Sequence, residues 1–253
     1  MAEAKTYSAA LLIVGNEILS GRTTDANLPY IAGRLNTLGI RLSEVRVVPD
    51  IESEIVDAVN ILRARYTYVF TTGGIGPTHD DITADCMAKA FGLPLIEHPE
   101  ARRRLQERYD ESGIELNEAR LRMARTPEGA MLIDNPVSAA PGFQVENVFV
   151  MAGVPKIMQA MFESLRERLV GGEPLLSRSI ACHLPEGLLA QGLGEIQARH
   201  DGVDIGSYPS YSSVGFGVAV VLRHTDPAAL DAAAVEVAAL IRALGGEPEE
   251  QDI

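Results

Sequence analysis

In Tyr66-Thr67-Tyr68-Val69-Phe70-Thr71-Thr72-Gly73-Gly74-Ile75-Gly76-Pro77-Thr78-His79-Asp80-Asp81-Ile82-Thr83 an apolar run stops, three glycines turn the backbone and two carboxylates open a helix. Residues 66–72 have the β-branched and aromatic content of a buried parallel strand, and residues 84–91 have helix-forming composition. Strand, glycine turn and helix together outline an anion site. Glycines let backbone N–H groups approach a ligand closely, and a helix start adds unpaired donors and roughly half a positive charge. Gly73, Gly74, Gly76, Pro77 and Thr78 are therefore read as a phosphate-binding loop. Asp80 and Asp81 would repel a bare phosphate, so a divalent cation held by these two carboxylates is expected beside it. The same residues also admit a reading without a ligand. Thr78-x-x-Asp81 is close to a capping box, in which the hydroxyl and the carboxylate satisfy orphan amides at a helix start.

Outward from this stretch, residues 8–14 form an apolar strand with Gly15-Asn16-Glu17 at its carboxyl end. Leu28, Ile31, Leu35 and Leu38 recur at helical spacing before Gly39. A second strand over residues 40–48 alternates Leu42, Val45 and Val47 and ends at Pro49-Asp50; Ile55, Val59 and Leu62 then mark a helix. Alternation of strand and helix builds a parallel sheet covered on both sides, an α/β/α sandwich. Parallel strands share one direction, so Asn16-Glu17, Asp50 and Asp80-Asp81 fall on one sheet edge, where open α/β sheets bind ligands. Asp50 taken alone is an ordinary turn residue.

Residues 93–125 read as helical and highly charged, with a short helix over 117–123 that turns Leu116 and Leu121 inward. Arg102, Arg103, Arg104 and Arg108 lie among Glu100, Glu107, Asp110 and Glu111, which suits a salt-bridged, solvated face. Residues 131–133, 143–145 and 148–151 read as short strands added antiparallel to the sheet, with Pro136, Pro141 and Gly142 in the loop between them. A helix over 155–169, with Ile157, Met161, Leu165 and Leu169 spaced by four, closes a domain of residues 1–170. Gly171-Gly172-Glu173-Pro174 is the boundary. Residues 175–253 read as a small β-α-β-β-α domain of the α+β class, with Leu230, Val237, Leu240 and Leu244 inward on its last helix.

A chain of 253 residues with 46% hydrophobic residues and no run long enough to span a bilayer is expected to be globular. Met1-Ala2-Glu3-Ala4-Lys5 lacks the layout of a secretion signal, which places the protein in the cytoplasm. Cys86 and Cys182 have no partner at metal spacing and are read as free buried thiols. A net charge of −13 argues against nucleic-acid and anionic-membrane partners. His79 can act as an acid near neutral pH, although a solvent-facing His at a helix start is ordinarily a surface residue.

The stretch from Gly73 to Thr83 is similar to the signature of the molybdopterin-binding superfamily of MogA/MoaB type, and its Asp-Asp form resembles the CinA branch. Gly15-Asn16-Glu17-Ile18-Leu19-Ser20-Gly21 with Asp25 and Asn27 resembles that branch's first-strand loop, and Val48-Pro49-Asp50 the second-strand acidic turn. Asn135-Pro136-Val137-Ser138-Ala139-Ala140-Pro141-Gly142-Phe143 and Gly153-Val154-Pro155 complete a set spanning about residues 8–170. Ile205-Gly206-Ser207-Tyr208-Pro209 resembles a segment that follows this domain in FAD synthases and their shorter bacterial relatives.

The resemblance implies that Asn16, Glu17, Ser20, Pro141, Gly142, Gly153 and Pro155 join the glycine loop in binding a nucleotide or pterin phosphate, with Asp50, Asp80 and Asp81 catalytic. It implies metal-dependent cleavage of a dinucleotide pyrophosphate such as ADP-ribose or FAD, with Mg²⁺, Mn²⁺ or Co²⁺, in a homo-oligomer. The alternatives are a silent module that holds molybdopterin or a nucleotide, and molybdopterin adenylylation. The extra carboxylate Asp80 suits a metal-bound pyrophosphate. Two departures weigh against catalysis: Ala139 stands where the CinA pattern has a hydroxyl, and Ile157 where it has a Glu. Nicotinamide-nucleotide deamidation and FAD synthesis are not implied, because the segments that carry them in longer relatives have no counterpart in this sequence.

Overall fold

The eight residues from Tyr7 form β1 (Tyr7–Val14), which is buried from Ala9 onward, as a strand covered on both faces must be. The computed structural model describes residues 7–212 and 215–251. Residues 1–5, read above for an export signal, and the last two residues of the second domain lie outside the described residues. After β1 come α1 (Asn16–Leu19), α2 (Asn27–Thr37), β2 (Ile40–Val48), α3 (Glu52–Arg65), β3 (Tyr68–Thr72) and α4 (Thr83–Phe91). Then follow β4 (Leu95–Glu97), α5 (Pro99–Ser112), α6 (Glu118–Leu121), β5 (Arg125–Pro127), β6 (Met131–Ile133), β7 (Gly142–Val145), β8 (Val148–Met151) and α7 (Pro155–Leu165). One six-stranded sheet has the order β2-β1-β3-β8-β7-β6, in which β7 runs against the other five.

Each face of the sheet has its own core, which makes this unit a three-layer α/β/α sandwich. Leu12, Val69 and Val150 pack under Ile55, Val59 and Leu62 of α3 and Cys86 and Met87 of α4. Leu11, Phe70 and Phe149 pack under Ile31 and Leu35 of α2 and Met158, Phe162 and Leu165 of α7. Phe70 stacks on Phe149 with ring centroids 5.3 Å apart, so two neighbouring parallel strands are joined by side chains as well as backbone. Burial in the first core pushes the Cys86 thiol up to about 12, which leaves it protonated and inert.

Arg34 of α2 donates to both oxygens of the Glu163 carboxylate on α7 at 2.7 and 2.6 Å, and the Tyr30 hydroxyl donates to the same group at 2.7 Å. The guanidinium holds the Glu163 carboxyl below its ordinary pKa. A lowered folded-state pKa contributes stability above the unfolded-state value and loses it as the pH falls through the folded one. Glu163→Gln is expected to cost at most about 1 kcal/mol near neutral pH, because the two side chains are 33% and 40% exposed. In strong acid the cost disappears. Urea unfolding of both proteins at the two pH values checks this.

Four expectations need correction. Val148–Met151 is antiparallel to β7 yet pairs in parallel with β3, so the parallel part of the sheet is one strand wider than the sequence implies. Residues 93–125 are not continuously helical, since Leu95–Glu97 and Arg125–Pro127 form a separate antiparallel pair around α5. Val45 and Val47 are 38% and 37% exposed, because β2 is an edge strand and a bulge at Ser43 shifts the register between Ala9 with Leu42 and Ala10 with Glu44. The α7 helix gives way to a 3₁₀ turn over Arg166–Arg168, and Ile157 is only half-buried.

The chain divides into two units between Gly172 and Glu173. The second contains β9 (Leu176–Cys182), α8 (Glu186–Arg199), β10 (Asp204–Ser212), β11 (Gly215–His224), α9 (Pro227–Ala243) and β12 (Glu249–Gln251). Its sheet has the order β10-β11-β9-β12 and is antiparallel throughout, with Leu189, Leu193, Val237 and Ile241 of the two helices over Ile180, Val218 and Val220. On α9, Leu244 is 37% exposed rather than inward, because the helix ends at Ala243. Among the described residues, no helix is long and apolar enough to cross a membrane.

Candidate functional site

At the end of β3 the chain has to leave the sheet between β1 and β8, and only glycine fits. Gly73 donates its N–H to the Met151 carbonyl at 3.1 Å with φ +102°, and a Cβ there would stand 2.1 Å from the Val14 carbonyl oxygen. Gly74 follows at φ +67°, where a Cβ would stand 2.2 Å from Thr83 Oγ1. Thr83 opens α4 and is fully buried; its N–H donates to the Gly74 carbonyl and its hydroxyl to the Gly73 carbonyl, both at 3.0 Å. The Gly73 and Gly74 carbonyls are thereby occupied. The N–H groups of Gly74, Ile75 and Gly76 donate to no protein group among the described residues. A row of free donors above a helix start is an anion cradle.

Asp81 closes onto Thr78. Asp81 Oδ2 accepts from the Thr78 N–H at 2.8 Å and from the Thr78 hydroxyl, and it lies where a Cβ on Gly76 would come within 2.6 Å. The Thr78 side chain and a backbone N–H hold the Asp80 carboxyl below the usual carboxylate range. These contacts correct the capping reading: α4 begins at Thr83 with Ile82 as its N-cap and no side-chain cap, so Thr78 and Asp81 close the loop two residues before the helix. His79 is 98% exposed and its ring stands 4.0 Å from Asp80. No group of three or more His, Cys, Asp or Glu gathers among the described residues, which does not fit a cation caged by protein alone. Two adjacent carboxylates do fit a small hard cation that completes its shell with water and substrate phosphate.

The other predicted residues divide between two clefts. Gly74, Gly76, Asp81 and Pro141 line one, on the side of α4. Glu17, Gly153 and Pro155 line the other, on the side of α2 and α7, together with Asp25, Asn27 and Thr72. Asn16 and Ser20 are exposed beside the second cleft, and Pro77, Thr78 and Asp80 are exposed on the glycine loop. Asp50 lies on the same sheet edge but is already engaged, its Oδ2 accepting from the Asn16 N–H at 2.9 Å. With β1 between β2 and β3, strand spacing puts it about 10 Å from the glycine loop.

The second cleft has a volume of about 60 Å³. Asn27, 3% exposed, donates from Nδ2 to the Gly153 carbonyl at 2.8 Å, while its Oδ1 and the hydroxyl of Thr72 are buried without a partner. Gly153 in turn packs on Gly73, so closely that a Cβ on Gly153 would stand 3.3 Å from the Gly73 Cα. Asn27 therefore ties the start of α2 to the glycine loop. Pro141 and Gly142 are fixed by Asn135, 6% exposed, whose Nδ2 donates to Ser138 Oγ and the Ala140 carbonyl at 2.7 Å. Gly142 leaves no room for a Cβ, which would meet the Val150 carbonyl oxygen at 2.4 Å.

Arg122 and Arg125 also line the first cleft, and sequence reading passes over both. Arg122 donates from Nη2 to the Asp81 carbonyl at 3.2 Å, and its Nε is buried without an acceptor. The two arginines stand some forty positions beyond the loop in a stretch that reads as a charged helix. No periodicity in the sequence ties them to it.

Residues 10–171 match the family model described as "Probable molybdopterin binding domain", and residues 174–245 match "FAD synthase, middle domain". A protein of Aeropyrum pernix is 35% identical over 96% of this chain and 97% of its own length. A CinA-like protein of Salinibacter ruber is 32% identical over 86% of this chain, which spans 55% of that protein. The crystal structure of CinA from Thermoplasma acidophilum superposes with a TM-score of 0.59 at 34% identity, over 64% of this chain and 98% of that one.

Proposed function

The chain belongs to the molybdopterin-binding domain family, in its CinA-like branch, and carries a domain like the middle domain of FAD synthase; from that membership we propose a divalent-metal-dependent pyrophosphatase that cleaves a dinucleotide such as ADP-ribose or FAD. The observation that carries the reading is the juxtaposition, within one turn of chain, of three unengaged N–H groups at Gly74 to Gly76 with the two carboxylates of Asp80 and Asp81. The N–H groups receive a phosphate. Thr78 orients Asp81 through Oδ2 and leaves its other oxygen for a cation, and the Asp80 carboxyl is held below the usual carboxylate range. Mg²⁺, Mn²⁺ or Co²⁺ held by Asp80 and Asp81 would supply charge neutralisation and an activated water when bound. Glu17, Asp25 and the free oxygens of Asn27 and Thr72 in the second cleft accept from the N–H and O–H groups of a nucleoside or pterin. A homo-oligomer is part of the same proposal.

A second reading, a binding module for molybdopterin or a nucleotide without turnover, is favoured by Ile157, whose side chain packs toward the core and offers no ligand. The purified protein, incubated with ADP-ribose and with FAD in Mg²⁺, Mn²⁺ or Co²⁺ and then in chelator, separates the two. Mononucleotide products that vanish with chelator are expected. Tight binding with no product under any metal leaves the binding module standing and removes the hydrolase.

A further inference from the structure

The glycine loop lies in a chain of net charge −13. Arg122 makes no ion pair among the described residues, whereas its neighbour Arg125 reaches Asp85 at 3.6 Å. One Nη atom is spent on the carbonyl of Asp81, the carboxylate-bearing residue of the loop, and Nε is buried with nothing to donate to. A buried donor on a cation is costly to leave unmade. The cleft that Arg122 lines with Gly74, Gly76 and Pro141 has a volume of about 10 Å³, room for one oxygen-sized group. Arg122 Nε and the free N–H groups of Gly74 and Gly76 on the lining are donors, so the partner they lack is an acceptor: one oxygen of an oxyanion, or a water.

Resting on the reading of the glycine loop as a phosphate site, we propose that Arg122 anchors the ligand's phosphate, so that binding needs no metal and the cation at Asp80 and Asp81 is required only for turnover. The repulsion between phosphate and the two aspartates is then offset by the guanidinium that sits on the Asp81 carbonyl. Arginine suits this place because its planar fork holds Nη2 on the Asp81 carbonyl and presents Nε to a phosphate oxygen in one fixed geometry.

Equilibrium binding of ADP, with adenosine as the control, measured in chelator for the wild type, Arg122→Gln and Arg122→Lys, tests the proposal. The wild type should bind ADP in chelator. Arg122→Gln should bind it roughly tenfold or more weakly with adenosine affinity unchanged, and Arg122→Lys should fall between. Should Arg122→Gln hold ADP as the wild type does, the notch contains a water and the proposal is wrong. Equal losses for ADP and adenosine would make Arg122 a support for the loop and also overturn it, and so would wild-type binding that appears only with Mg²⁺. If the wild type binds ADP neither with nor without Mg²⁺, the phosphate reading of the loop falls as well.

Discussion

Asp81→Asn is expected to lower hydrolysis of ADP-ribose or FAD by roughly a thousandfold or more, the scale of losing one ligand of a catalytic metal. The fold should survive the change. The amide keeps one oxygen that can accept from the Thr78 N–H and hydroxyl, so the loop closure seen in the structure has a neutral replacement. Stability should change by no more than about 1–2 kcal/mol, the difference between a charge-assisted and a neutral hydrogen bond. Thermal unfolding and a turnover assay on the same preparation read both effects. A large fall in melting temperature with turnover intact would mean that Asp81 only closes the loop.

Gly73→Ala is expected to do the opposite, removing stability by about 4 kcal/mol, from a strained backbone and a contact that cannot relax. Its φ of +102° lies outside the region alanine prefers, and the new Cβ would be 2.1 Å from a carbonyl oxygen at the end of β1, the strand paired between β2 and β3. Gly92→Ala is the matched control, because Gly92 ends α4 at φ +64° with nothing within 4 Å of a Cβ. That change should cost about 1 kcal/mol, the left-handed conformation alone. Urea unfolding of the two variants isolates the contact from the dihedral. Equal costs would show that the loop can shift away from Val14.

The parallel sheet was legible because its strands are short apolar runs that each stop at a turn residue. Strand direction alone then put Asn16, Asp50 and Asp81 on one edge. What direction could not supply was lateral order. Because β1 sits between β2 and β3, Asp50 meets Asn16 and stays about two strand spacings from the glycine loop. The 93–125 stretch misled for a different reason. The charged periodicity of α5 masks two three-residue strands, too short to show alternation, and it is the turn beside one of them that brings Arg122 to the loop. The buried oxygens of Asn27 and Thr72 were equally hidden, since a polar residue at a helix start or a strand end carries no mark of whether its partner is protein or ligand.

A crystal structure of the protein with ADP and Mn²⁺ tests the central claim most directly, because the anomalous signal of manganese locates the cation independently of the phosphate. The account predicts manganese between the carboxylates of Asp80 and Asp81, about 2.1 Å from each coordinating oxygen, and a phosphate of ADP on the N–H groups of Gly74 to Gly76. Manganese absent from that pair, or a phosphate lodged by Asn27 and Thr72 with the glycine loop empty, would contradict it.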